Sequence, residues 1–359
     1  MRTSEISEKS EKSQPLIPGL PNEIAELCLL HLPFPNQTLA SSVSVSWNRA
    51  ISNLFLLSKK NLSVSLPFIF VFAFHKPTGK IQWQAFDPRS RRWFVLPPMP
   101  CAMPICPPGF ACATIPHQGA LFVLGGMRSD TEKPLHSLVS YRASTNSWSV
   151  GPPMRTPRSF FAAGSIGGRI FAVGGSGVSE NLVSVERYDP EQGSWAPAAN
   201  MRSGLGRYDA AVVGNKMYVT EGWAWPFTFL PRGAVYDADA DTWNEMDAGL
   251  REGWTGVSVV LEGRLFVISE HGDWKLKVYV PEDDTWRYVI GKGVPRELRK
   301  PFTVSGVEGR IYVVARGLDV AIGRVVEING GDWTVDWEVV AGPTAFEDFA
   351  PSNSQVLYA

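Results

Sequence analysis

The feature that most constrains the fold is a repeated aromatic pair. In five places a Phe or Tyr is followed seven positions later by Trp: Phe86 and Trp93, Tyr141 and Trp148, Tyr188 and Trp195, Tyr236 and Trp243, Tyr279 and Trp286. A short apolar run recurs in the same rhythm, as Leu121-Phe122-Val123-Leu124, Ile170-Phe171-Ala172-Val173, Met217-Tyr218-Val219-Thr220, Leu265-Phe266-Val267-Ile268 and Ile311-Tyr312-Val313-Val314. The starts lie 49, 47, 48 and 46 residues apart. Self-similarity at such a period marks one supersecondary unit copied along the chain.

The best-preserved copy spans residues 169–195. Its apolar run meets Gly174 and Gly175, where a missing Cβ allows the backbone to leave a strand sharply. A second strand over 183–188 ends on Asp189-Pro190, which favour a turn, and Trp195 opens a third. The glycine pair is intact at Gly125-Gly126, becomes Glu221-Gly222, and is replaced by Ser269-Glu270 and Ala315-Arg316. Units at Phe68, Ala120, Ile170, Met217, Leu265 and Ile311 make six. Four short strands per unit cannot cover both faces of their own sheet, whereas packing the sheets around an axis does so. The strand-like piece Gln355-Val356-Leu357-Tyr358 is expected to complete the first unit.

These residues resemble the kelch repeat, with its paired glycine, Tyr-Asp and Trp at a period near 50. The resemblance covers residues 67–359. It implies a mainly β fold, a six-bladed kelch β-propeller, in which the glycines and aromatics are scaffold.

The 33 Gly, 28 Pro and 13 Trp agree with a chain rich in turns and large core side chains. A net charge of −1 provides no global field for nucleic acid or an anionic membrane. The longest apolar run, 66–74, is too short to span a bilayer. Cys28, Cys101, Cys106 and Cys112 lack zinc-site spacing, and His31, His75, His117, His136 and His271 are scattered singly. Asp239, Asp241, Asp283 and Asp284 sit beside the turns that precede a Trp and are read as turn formers. Without a nucleophile elbow, P-loop or dinucleotide fingerprint, no catalytic, cofactor or metal site is expected. Residues 1–15, rich in Ser, Glu and Lys, predict a disordered tail rather than a secretory signal, and hence a cytoplasmic or nuclear protein.

Residues 16–61 follow a different pattern. Ile24, Leu27 and Cys28, then Leu39 and Val43, then Trp47, Ile51 and Leu54 fall at helical spacing. Three short helices are expected, with Pro21 opening the first and Pro33 and Pro35 making the connection. So small a core predicts a partner that covers an exposed apolar face. The segment resembles an F-box: Leu20-Pro21, an amphipathic helix over 24–30, Leu32-Pro33, then Val43 with Val45-Ser46-Trp47, and a final apolar helix over 51–55. It departs from the pattern at Asn22, where Asp is usual, and over 42–46. The resemblance implies docking on the Skp-type adaptor of a cullin-RING (SCF) ubiquitin ligase, with Leu20, Pro21, Ile24, Leu32 and Pro33 at the adaptor surface and Trp47 inside.

Target recognition is then expected on propeller loops, because loops on a rigid scaffold carry function. Two sets converge on one face: 127–135, 176–181, 222–232, 271–275 and 316–320 after the glycine positions, and 97–110, 151–158, 197–207, 246–254 and 291–301 between units. Kelch units often keep an Arg at the end of the second set, and Arg158, Arg207 and Arg299 correspond to it. Each could hold a partner's carboxylate, or bond a neighbouring blade's carbonyls. Trp223, Trp225, Phe227 and Arg232 form an aromatic segment that is either a binding anchor or a plug over the propeller mouth. Trp254, closing the loop 246–254, completes the candidate set. The expected function is a non-catalytic substrate adaptor for ubiquitination and degradation. The alternatives are an interaction scaffold without a ligase role and, more remotely, a propeller enzyme.

Overall fold

The computed structural model describes residues 15–32, 34–41, 43–58, 66–101, 104–205, 209–221, 230–270, 272–328 and 331–359. The chain divides into two compact units, Met1–Ser65 and Leu66–Ala359.

The first unit holds three helices, α1 (Asn22–Leu30), α2 (Asn36–Ser41) and α3 (Val45–Ser58). Pro21 sits one residue ahead of α1, where its missing N–H costs no helical bond, and its carbonyl accepts from Ala25 at 2.9 Å. Ser44 caps α3, its hydroxyl accepting from the Trp47 N–H at 3.1 Å. The core is small: Leu29, Ala40 and Ala50 are buried, with Leu16, Leu32, Trp47 and Ile51 packed against them. Trp47 Nε1 donates to the Leu16 carbonyl at 2.6 Å and so ties the segment before α1 to α3.

The second unit is a six-bladed β-propeller. In five blades the strands run in chain order from the axis outward, as in Ala162–Ile166, Arg169–Val173, Val185–Asp189 and Ser194–Ala198. The first blade differs: Pro67–His75, Ile81–Asp87 and Arg92–Val95 receive their innermost strand from Phe349–Tyr358. Innermost strands touch all the way round the ring, and Phe349–Tyr358 meets both Ile105–Ile115 and Thr303–Val307.

The seven-residue aromatic offset has a direct geometric cause. In the outer hairpin of each of the first five blades the two aromatics are cross-strand partners, as in Tyr188 opposite Trp195 and Phe86 opposite Trp93. Their ring centroids lie 5.1 to 5.4 Å apart in all five pairs, a favourable aromatic separation. Four of these Trp residues, and Trp337 of the sixth blade, also grip the loop arriving from the preceding blade. The indole of Trp148 donates to Pro97 O, Trp195 to Pro152 O, Trp243 to Ala199 O, Trp286 to Gly249 O and Trp337 to Lys292 O, at 2.7 to 3.1 Å. Trp93, in the blade closed by Phe349–Tyr358, has its Nε1 buried without a hydrogen-bond partner among the described residues.

The turns inside these hairpins do more than reverse the chain. Tyr141, Tyr236 and Tyr279 donate to Asn146, Asp241 and Asp284, residues held at φ of 45°, 49° and 49°, a region Asn and Asp tolerate better than most side chains. Asp284 also accepts from the Gly249 and Leu250 N–H groups of the incoming loop, at 2.7 and 2.8 Å. Burial alone would raise its pKa, but the bonds from Tyr279, Gly249 and Leu250 hold it below the usual carboxylate value. A carboxylate held low in the fold contributes stability above its unfolded pKa, and loses it as pH falls through the folded value. Asp284→Asn should therefore cost about 1–2 kcal/mol at pH 7 and less at an acid pH below the folded pKa of Asp284. Urea titrations at the two pH values check this, and equal losses at both would refute it.

Two features were not anticipated. Ile290–Gly291 adds a parallel fifth strand to the sixth blade, against Asp332–Val340. A short helix, α4 (Ala248–Gly253), occupies the loop into the fifth blade.

Candidate functional site

Because adjacent strands are antiparallel, the loop after each blade's second strand and the link to the next blade lie at the same end. This loop face is the candidate recognition surface of the propeller, and the short hairpin turns lie at the other end.

Arg158 does not belong to that surface. It is fully buried, and its guanidinium donates to Gly174 O and Ser184 O at 2.8 and 3.0 Å and to Glu186 Oε1 at 2.8 Å. Glu186 also accepts from the Arg155 and Thr156 N–H groups at 2.7 and 3.0 Å. The bond to a neighbouring carbonyl, left open by the sequence, is the one Arg158 makes. Glycine is required beside it: Gly175 has φ of 94°, and a Cβ there would lie 2.5 Å from that of Phe161. Trp254 is likewise withdrawn from solvent at 1% exposure. Its indole donates to Asp209 Oδ2 at 2.9 Å, pinning the end of α4 to the neighbouring blade's inner strand. Burial pushes the Asp209 carboxyl up, against the bonds it accepts from Trp254 and Ser258.

Arg232 and Arg299 remain exposed. Arg232 makes a bidentate pair with Glu221, at 2.9 and 2.8 Å, and its carbonyl accepts from the Glu221 N–H at 3.1 Å. The Glu that replaces a repeat glycine thus clasps the base of the 222–231 segment. Arg299 Nη2 lies beside Gly317, on the side where Asp319 Oδ2 also points. Arg207, Trp223, Trp225 and Phe227 lie outside the described residues.

The helical unit carries a second surface. Leu20, Ile24 and Leu27 are 36, 46 and 50% exposed; Leu20 lies just before α1, and Ile24 and Leu27, three residues apart, share one side of it, while Ala25 and Leu29 turn inward. Val43 and Val45 are also exposed. Pro21 is exposed at the start of this stripe. Leu32, expected at the adaptor surface, is half-buried and packs against the small core. Pro33 lies outside the described residues. Leu27 is a further exposed apolar position on α1, three residues after Ile24.

Comparison with known proteins identifies both units. The F-box domain matches residues 17–59, and the Kelch motif matches 108–155 and 157–202. F-box protein AFR of Arabidopsis thaliana is 53% identical over 98% of this chain and 95% of its own length. The chain belongs to the F-box/kelch-repeat family. A second Arabidopsis thaliana relative, F-box/kelch-repeat protein At1g30090, is 42% identical over the whole chain and 90% of its own length.

In this F-box/kelch-repeat chain the two matched kelch segments are those with intact glycine pairs. Divergence elsewhere has a physical counterpart. Lys277 stands two residues before Tyr279, as Glu186 stands before Tyr188. Glu186 accepts from backbone N–H groups of its incoming loop, whereas Lys277 donates to Gly253 O at 2.7 Å and Thr255 Oγ1 at 2.9 Å. Side-chain charge and loop polarity have inverted together, and burial lowers the Lys277 pKa.

Proposed function

We propose that this F-box/kelch-repeat protein is a substrate receptor of an SCF-type ubiquitin ligase. The helical unit binds the Skp-type adaptor, and through it the cullin, while the propeller's loop face holds a target protein. The observation that carries this reading is the exposed apolar set Leu20, Ile24 and Leu27 on a helical unit whose own core is small, with Leu29, Ala40 and Ala50 at its centre among the described residues. The chain needs no catalytic residue for this task. Holding the target and the ubiquitin-loaded enzyme in one assembly raises the effective concentration of target lysines. Such a ligase would work in the cytoplasm or nucleus.

Ile24→Glu with Leu27→Glu should cut adaptor association at least 100-fold, since each places a charge where an apolar anchor sits. The propeller's melting temperature should not change. Co-purification with the Skp-type adaptor reads the result, and retained association would overturn the proposal. A scaffold without a ligase role is separated by target half-life, which should lengthen in the same variant only if the ligase reading holds.

A further inference from the structure

On the loop face, between the fifth and sixth blades, lies a cleft of about 390 Å³ whose walls include Val257, Ile268, Trp274 and Phe302, with Glu270 and Lys300 at its polar side. Trp274 meets Phe302 edge-on, with centroids 5.2 Å apart. The Lys300 ammonium sits 5.7 Å from the Trp274 ring centre and 6.0 Å from that of Phe302, and 3.1 Å from Glu270 Oε1. Two rings and a carboxylate therefore converge on one cationic group, an arrangement that selects positive charge. The protein's own lysine occupies it.

The receptor is better built than its occupant is held. Trp274 has φ of 50°, a genuine outlier for a bulky residue, and such conformations persist only where the surroundings enforce them. The enforcement is visible: the Trp274 carbonyl accepts from Val294 at 3.1 Å, and a Cβ on Gly293 would overlap the Asp273 carbonyl oxygen. Glu270 is fixed through its N–H, which donates to Thr255 O at 2.9 Å. Lys300 and Glu270 side chains, by contrast, are 46 and 59% exposed, so their pairing is screened and weak. The rim cation Arg296 is matched by Asp273.

We propose that this cleft receives a cationic side chain of the target, an arginine by preference, with Lys300 as a tethered occupant that the incoming group displaces. Arginine fits best because its planar, weakly hydrated guanidinium stacks on aromatic faces and pairs with carboxylates through two bonds. The assignment of a target rests on the receptor function proposed above, but binding by the cleft itself is measurable without it.

The test uses the full chain and three blocked tripeptides, acetyl-Gly-Arg-Gly-amide and its citrulline and glutamate counterparts, with dissociation constants from saturation-transfer NMR. The arginine peptide should bind at least about tenfold more tightly than the citrulline peptide, which keeps the shape without the charge. Lys300→Ala should tighten arginine binding by about fivefold, by removing the competitor. Glu270→Gln should abolish the preference for arginine. Both substitutions are at exposed positions, and melting curves confirm that the fold is kept. The inference is overturned if citrulline binds as well as arginine, if Lys300→Ala weakens the arginine peptide, or if the glutamate peptide is preferred. Adaptor co-purification on the same samples separates the two readings. Arginine selectivity without adaptor association would remove the ligase reading and leave the cleft, and the converse would remove only the cleft.

Discussion

Deleting Phe349–Tyr358 is expected to abolish the cooperative unfolding transition of the whole propeller, not to trim one blade. The segment is the innermost strand of the first blade, paired with Pro67–His75 along its length from Pro67 opposite Tyr358 to His75 opposite Phe349. It also closes the ring by meeting the inner strands of the second and sixth blades. Without it Ile69, Phe70 and Val71, now fully buried, would face water, and each large side chain so exposed costs about 1.5–3 kcal/mol. A domain whose total stability is about 5–15 kcal/mol cannot absorb several such losses. Calorimetry of the truncated chain should show no propeller transition, and an unchanged melting curve would show that the strand is dispensable.

Arg158→Ala should cost about 3–5 kcal/mol, because it removes the charge partner of a buried carboxylate and strands the Gly174 carbonyl oxygen. The double variant Arg158→Leu with Glu186→Leu should be less destabilised than the sum of its single changes, since it removes both charges together. It should not recover fully, because Glu186 also satisfies the N–H groups of Arg155 and Thr156. Urea unfolding of the four proteins measures the coupling. Additive effects would mean that the pair contributes nothing as a pair.

The scaffold was legible because its determinants are local. A seven-residue spacing is what a hairpin must have if its two aromatics are to face each other, as Tyr236 and Trp243 do. Five such hairpins, a sixth unit marked by its apolar run at Ile311, and an F-box-like segment could therefore be read without distant contacts. The site was less legible because its partners are remote in sequence. Arg158 meets Glu186, 28 residues on, and Trp254 meets Asp209 across 45 residues. Position in an interblade loop leaves Arg158 open between a surface and a joint role and makes Trp254 a surface candidate, although such loops also carry the joints between blades. A charged residue two positions before the repeat Tyr was the available sign that the incoming loop needs an internal counterpart. The Lys300 cleft left no local signature, since Glu270, Trp274 and Lys300 are brought together only when the fifth and sixth blades pack.

The late position of the closing strand also orders the molecule in time. During synthesis Pro67–His75 is made well before Phe349–Tyr358, its neighbour on the axial side, so the first sheet waits, one edge open, while five others are produced. An open edge of that kind is a site for pairing with the wrong strand. The N-terminal helices depend on no such delayed partner for their small core, drawn from residues 16–51. On the ribosome the helical unit can thus be complete while the propeller is not, and protection of the Pro67–His75 edge in that interval becomes a requirement of the fold.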